Sequence, residues 1–152
     1  MIQRIQTLFL ALAGLSGFSL FLKPMDFALV NGLTEKQTGL SMLADGVYDI
    51  NDNDILMILT VMLGLIPILG IFLFRNRKLQ MNVGRLAIFI GFILLLVGGF
   101  FFYQEYEHIK ETVNASMGAG LAAPALSFVF LYLANRAINK DEKLVRSADR
   151  LR

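Results

Sequence analysis

Polar and apolar positions along this chain fall into long blocks, not alternation. Charge-free runs of 18 residues between Arg4 and Lys23, 20 between Asp54 and Arg75, 19 between Arg85 and Glu105, and 24 between Glu111 and Arg136 dominate the sequence. A hydrocarbon layer of about 30 Å is crossed by ~20 helical residues, with a range of roughly 17–25. Only a helix or a closed barrel satisfies its backbone hydrogen bonds in lipid, and continuous apolar runs exclude the alternating pattern of a barrel. The pattern therefore predicts an all-α membrane protein: a four-transmembrane-helix bundle with spans at about 5–22, 55–74, 86–104 and 112–135. The first run could also be a signal peptide. Its only A-x-A-like triplet, Ala11-Leu12-Ala13, lies inside the apolar stretch, and Lys23-Pro24 follows, so retention as a membrane helix is expected.

The segments between the runs predict the rest. The loop 23–54 carries Asn31-Gly32 after Phe27-Ala28-Leu29-Val30, and Asp45-Gly46 before Val47-Tyr48. Both pairs accept the positive φ of two-residue hairpin turns, which implies a small β-containing extracytoplasmic loop resting on the helices. Arg75 to Arg85 reads as a tight turn. In the tail 136–152, Leu144, Val145, Ala148 and Leu151 recur at helical spacing, which predicts an amphipathic C-terminal helix on the cytoplasmic side.

Composition agrees with one membrane domain over 1–152: 56% hydrophobic, 17% charged, with a mean hydropathy of +0.62. The net charge of +2 does not point to nucleic acid, because the basic residues sort by side. Eleven of the 14 lie at the N-terminus, in the second loop or in the tail; Lys23, Lys36 and Lys110 lie opposite, among nine acids. The positive-inside rule then puts both termini in the cytoplasm.

Candidate chemistry is sparse. With no Cys and one His, a thiolate or histidine metal site, a cysteine nucleophile and a His-paired triad are all disfavoured, and neither metal nor cofactor is expected. The run Asp49-Ile50-Asn51-Asp52-Asn53-Asp54 has the look of a calcium loop, but Asp54 stands sixth, where Gly is needed, and Thr60 twelfth, where Glu is needed. It reads better as helix capping. His108, between Glu107 and Lys110, reads as an interfacial residue. The charge-free runs also lack the intramembrane ionisable residues that pumps and proteases use, so no enzyme is expected.

Small residues carry more information. Gly84, Gly91 and Gly98 recur every seven positions, Ala13 and Gly17 stand four apart, and the expected fourth span opens with Gly118, Gly120 and Ala122 among other small side chains. Helices in lipid associate through such close backbone approach, which makes these residues helix-packing candidates. Pro67 and Pro124 are expected to kink the second and fourth helices. Lys143, Arg146, Arg150 and Arg152 are candidate contacts to a partner or to lipid headgroups.

The opening Met1-Ile2-Gln3-Arg4-Ile5-Gln6-Thr7 and the closing stretch from Asp141-Glu142-Lys143-Leu144 to Arg150-Leu151-Arg152 resemble an uncharacterised family of four-span inner-membrane proteins from Bacteroidota, described as a domain of unknown function. The resemblance implies topology and compartment, and carries over no site residue. The function expected from these features is that of a non-enzymatic accessory or assembly subunit of an inner-membrane complex, with membrane lipid and other integral membrane proteins as partners. The alternative is a lipid- or small-apolar-molecule-binding protein or a passive pore, its site between the helices below the loop domain.

Overall fold

The computed structural model describes residues 3–32, 42–43, 45–110 and 113–149. Most lie in four α-helices: α1 Gln3–Phe18, α2 Asp54–Phe72, α3 Arg77–Glu107 and α4 Ala122–Asp149. Three segments, Asp54–Phe72, Arg77–Glu107 and Ala119–Val145, are long and apolar enough to cross a membrane; Ile5–Phe21 is apolar but shorter. Each helix packs on its chain neighbours, and α4 returns to α1, closing a ring.

Close approach holds that ring together. A methyl added at Gly17 would lie 2.9 Å from the Gly64 backbone N, and one at Gly14 2.8 Å from Gly64 O, so α1 and α2 meet nearly backbone to backbone. Between α3 and α4 the stripe predicted from the heptad spacing does the same. A methyl at Gly84 would meet the Asn135 amide, and one at Gly91 would lie 2.6 Å from the Phe128 ring. Where α1 crosses α4, Ser127 Oγ donates to Ala13 O at 3.1 Å and sits 2.7 Å from Ser16 Oγ. Such interhelical bonds contribute about 0.6 kcal/mol each in lipid.

One end of the ring is covered by a three-stranded antiparallel sheet, ordered β2-β1-β3, with β1 Ala28–Asn31, β2 Val47–Tyr48 and β3 Asn114–Met117. Ala28 pairs with Tyr48 on one side and with Met117 on the other. Ala28 and Val30 are buried toward the helices while Leu29 and Asn31 face out, the alternation expected of a half-covered strand. Gly32 and Gly46 both have positive φ, 95° and 78°, as the Asn-Gly and Asp-Gly pairs require.

Four expectations change. The two turn signals do not close two hairpins: β1 pairs with β2, and both glycines lie at the mouths of the one connection between them. The expected span 112–135 starts late, because 114–117 form β3 and α4 begins only at Ala122. Absence of charge cannot show that the backbone N–H groups of Gly118 and Gly120 bond to Phe27 O and Asp26 O, at 2.9 and 2.8 Å. Pro124 consequently sits in the first turn of α4, where a missing N–H costs nothing, and has no helix interior to kink. Last, the turn after α2 is confined to 73–76. Asn76 caps α3 by accepting from Leu79 N at 3.2 Å, and Arg77, Lys78 and Arg85 are already helical.

Candidate functional site

Tyr48 organises the junction between sheet and helices. Period-two alternation on β2 points it inward, where only 2% of it is exposed. Its hydroxyl donates to Gly98 O on α3 at 2.8 Å, which satisfies a polar group that would otherwise be costly to bury. Burial drives the phenol well above its ordinary pKa, so it stays protonated and donating. Its ring lies 6.0 Å from Phe27 and 5.3 Å from Phe102, and Phe102 stacks on Tyr106 at 5.5 Å.

Beside this aromatic chain lies a cavity of about 400 Å³, between the sheet and α3. Leu94, Leu95, Gly98 and Gly99 form its floor, and Phe102 and Tyr106 one wall. Phe27, Ala28, Tyr48 and residues 115–117 of β3 cover it, with Leu121 beside them. Among the described residues, no charged one lines it. Gly99 keeps it open: no side chain or facing backbone lies within 4 Å of where its Cβ would stand, in contrast to Gly91 eight residues earlier on the helix. The size falls in the roughly 300–1,000 Å³ range of small-molecule sites, and the lining suits an uncharged apolar molecule.

The acidic run borders this region and does the capping work its sequence suggests. Asp49 accepts from Asn51 N at 2.6 Å, Asp52 reaches back to Asp49 N at 2.6 Å, and Asn53 accepts from Ile55 N at 2.8 Å to start α2. Burial, reinforced by the Asp49, Asp45 and Asp26 carboxylates, pushes Asp52 up to about 6 despite its bond to the Asp49 backbone. Asp26 is raised by burial and by Asp49 and Asp45. His108 caps the end of α3 in an exposed position, next to an ion pair between Glu107 and Lys110.

The packing candidates divide. Gly84 and Gly91 face α4; Gly98 faces Leu56 and the Tyr48 hydroxyl. Gly118 and Gly120 are not at a helix crossing at all: their Cβ atoms would fall 2.0 and 2.3 Å from the carbonyls of Asp26 and Met25, in the β3–α4 connection. Ala122 is exposed. Lys143 is exposed on α4, which also contains Arg146, while Arg150 and Arg152 lie outside the described residues.

Sequence reasoning missed Gly64, Asn135 and Gly99, whose roles depend on what faces them. It also missed a polar tie at the end opposite the sheet. Asp141, 6% exposed, accepts from the Gln6 amide, and its backbone carbonyl accepts from Arg77 Nη1 at 3.1 Å. A carboxylate in a run of tail charges gives no sign that it will be buried.

A family model described as DUF4293, a domain of unknown function, matches residues 2–151. No curated protein and no solved structure matches the chain.

Proposed function

The chain belongs to the DUF4293 family, and from that premise we propose that it is a four-span protein of a bacterial inner membrane, both termini cytoplasmic, that holds an uncharged apolar molecule beneath its sheet. The cavity walled by Phe102, Tyr106 and Tyr48 and floored by Gly99 is the observation that carries this reading. The molecule is a lipid chain or a small apolar compound, bound without chemistry. The fourth span is α1 with its following turn: Ile5–Phe21, at 17 residues, lies at the lower edge of spanning length and packs along both α2 and α4. The basic excess on one side supports the orientation. In that frame the cavity lies at the outer boundary of the hydrocarbon layer, just before Glu105 and Glu107, where an amphiphile's chain can enter sideways while its polar end stays near water.

The test is the ligand itself. The parent, purified in mild detergent and analysed intact by mass spectrometry, carries about one equivalent of an apolar compound under this reading. Gly99→Phe, whose Cβ would meet nothing within 4 Å and whose ring is meant to occupy the cavity, carries none. Equal loading of both proteins, or none in the parent, overturns the reading.

A second reading, the accessory subunit, is favoured by Leu144 and Val145, both about half exposed next to Lys143 at the end of α4. Removal of residues 146–152 leaves Asp141 and its tie to Gln6 in place. A stoichiometric protein partner that disappears on this truncation would support docking over ligand binding.

A further inference from the structure

At the end opposite the sheet a second cavity, about 560 Å³, opens between the α2–α3 turn and the last turns of α4. Its chemistry is the reverse of the first. Among the described residues, Arg75, Arg77 and Lys78 line it against one carboxylate, Glu142, and Phe74 and Val145 supply an apolar side. Arg77 is held in place, since its guanidinium donates to Asp141 O while Asp141 is buried against Gln6. A guanidinium fixed before binding loses little freedom when it takes up a phosphate, and its fork suits phosphate oxygens. The same place is the start of the 31-residue α3, so the positive end of its dipole adds to the field. Phe72 and Phe74, 72% and 53% exposed, stand where the apolar helix ends and the charges begin.

We propose that this cavity binds the phosphate-bearing headgroup of an anionic membrane phospholipid, the cations taking the phosphate and Phe74 with Val145 the first carbons of the chains. The apolar side decides for a lipid over a free anion: inorganic phosphate has no use for Phe74, and a purely electrostatic site at a helix end would have no reason to include it. Basic pockets between membrane helices on the cytoplasmic side are suited to such headgroups, each nearby cation strengthening binding by about fivefold.

The test uses the full chain in detergent, titrated with phosphatidylglycerol, phosphatidylcholine of the same chains, or inorganic phosphate, and read by intact-protein mass spectrometry and thermal melting. Phosphatidylglycerol is expected to bind saturably and at least roughly fivefold more tightly than phosphatidylcholine. Arg75→Gln with Lys78→Gln should weaken phosphatidylglycerol by about 30-fold and phosphatidylcholine, whose choline offsets its phosphate charge, by much less, so that the preference between the two lipids narrows. Val145→Glu, at an exposed helix position, should produce a comparable loss and keeps the answer available if the double variant does not fold. Excess inorganic phosphate should not displace the lipid. Equal affinity for the two lipids, full phosphatidylglycerol binding by the variants, or displacement by phosphate would each overturn the proposal.

Discussion

Two glycines one heptad and one residue apart on α3 should respond oppositely to the same substitution. At Gly91 the first added carbon would lie 2.6 Å from Phe128 Cε1, 3.1 Å from Cζ and 3.2 Å from Leu63 Cδ1. Carbon atoms rest at about 3.5–4.0 Å, so the overlap with the ring is roughly 1 Å before the rest of a leucine is added. Phe128 must leave its rotamer or α3 must move off α4. Overpacking of this kind costs about 1–3 kcal/mol, and Gly91→Leu belongs at the upper end because two helices confine the new side chain. At Gly99 a Cβ meets nothing within 4 Å, and replacing a helical glycine contributes up to about 1 kcal/mol of stability. The two leucine variants should therefore differ by about 2–4 kcal/mol, Gly99→Leu being the more stable. Unfolding in mixed micelles, followed by circular dichroism, measures this on the isolated chain. A Gly91→Leu variant that unfolds with the parent, or a Gly99→Leu variant that loses as much, would refute the packing of α3 on α4.

Asp52 makes the sheet end sensitive to pH. Its folded pKa, about 6, stands above the unfolded value near 3.9, so the burial penalty is fully present above pH 6 and is relieved as acid protonates the folded carboxyl. Stability from this group should rise as pH falls from about 6 to 4, and Asp52→Asn, whose carbonyl can still accept from Asp49 N, should flatten that slope in a melting series; an unchanged slope would show the carboxylate to be well solvated. Orientation is open to single cysteines in this cysteine-free chain. One at Asn31 or Asn114, paired neighbours on the exposed side of the sheet, should react with an impermeant thiol reagent in intact cells, and one at Ser147 on α4 only after lysis. The reverse pattern would invert the topology.

What the sequence revealed follows from which forces act locally. The apolar runs and the Asn-Gly and Asp-Gly turns are local, and α2, α3 and the positive φ at Gly32 and Gly46 follow from them. The heptad of Gly84, Gly91 and Gly98 is also local, but what each faces is not: Gly84 and Gly91 face α4, and Gly98 faces Leu56 and the Tyr48 hydroxyl. β3 was hidden because Asn114–Met117 has no alternation, every residue of it being exposed, and its hydrogen bonds come from β1, far back in the chain. The same distance hid the tie between Gln6 and Asp141, 135 positions apart. From the sequence a site is expected only as a place, between the helices and below the loop domain, whereas the cavity lies between the sheet and α3. Gly99 reads like its neighbour Gly98, and only the fold separates a glycine that admits a tyrosine hydroxyl from one that leaves a space.

That space can be probed from its mouth. The chain has no Trp, and Met117, 88% exposed on β3 where it borders the cavity, can carry a single one as Met117→Trp. Titration of the detergent-solubilised variant with an uncharged brominated fatty alcohol then reports whether the chain enters the site, since bromine quenches indole only at contact. Saturable quenching at about one fatty alcohol per protein is expected, abolished when Gly99→Phe is added to the same background. Quenching that grows linearly with the brominated lipid, and is the same with Gly99→Phe, would mean that the indole sees only the micelle and that nothing occupies the cavity.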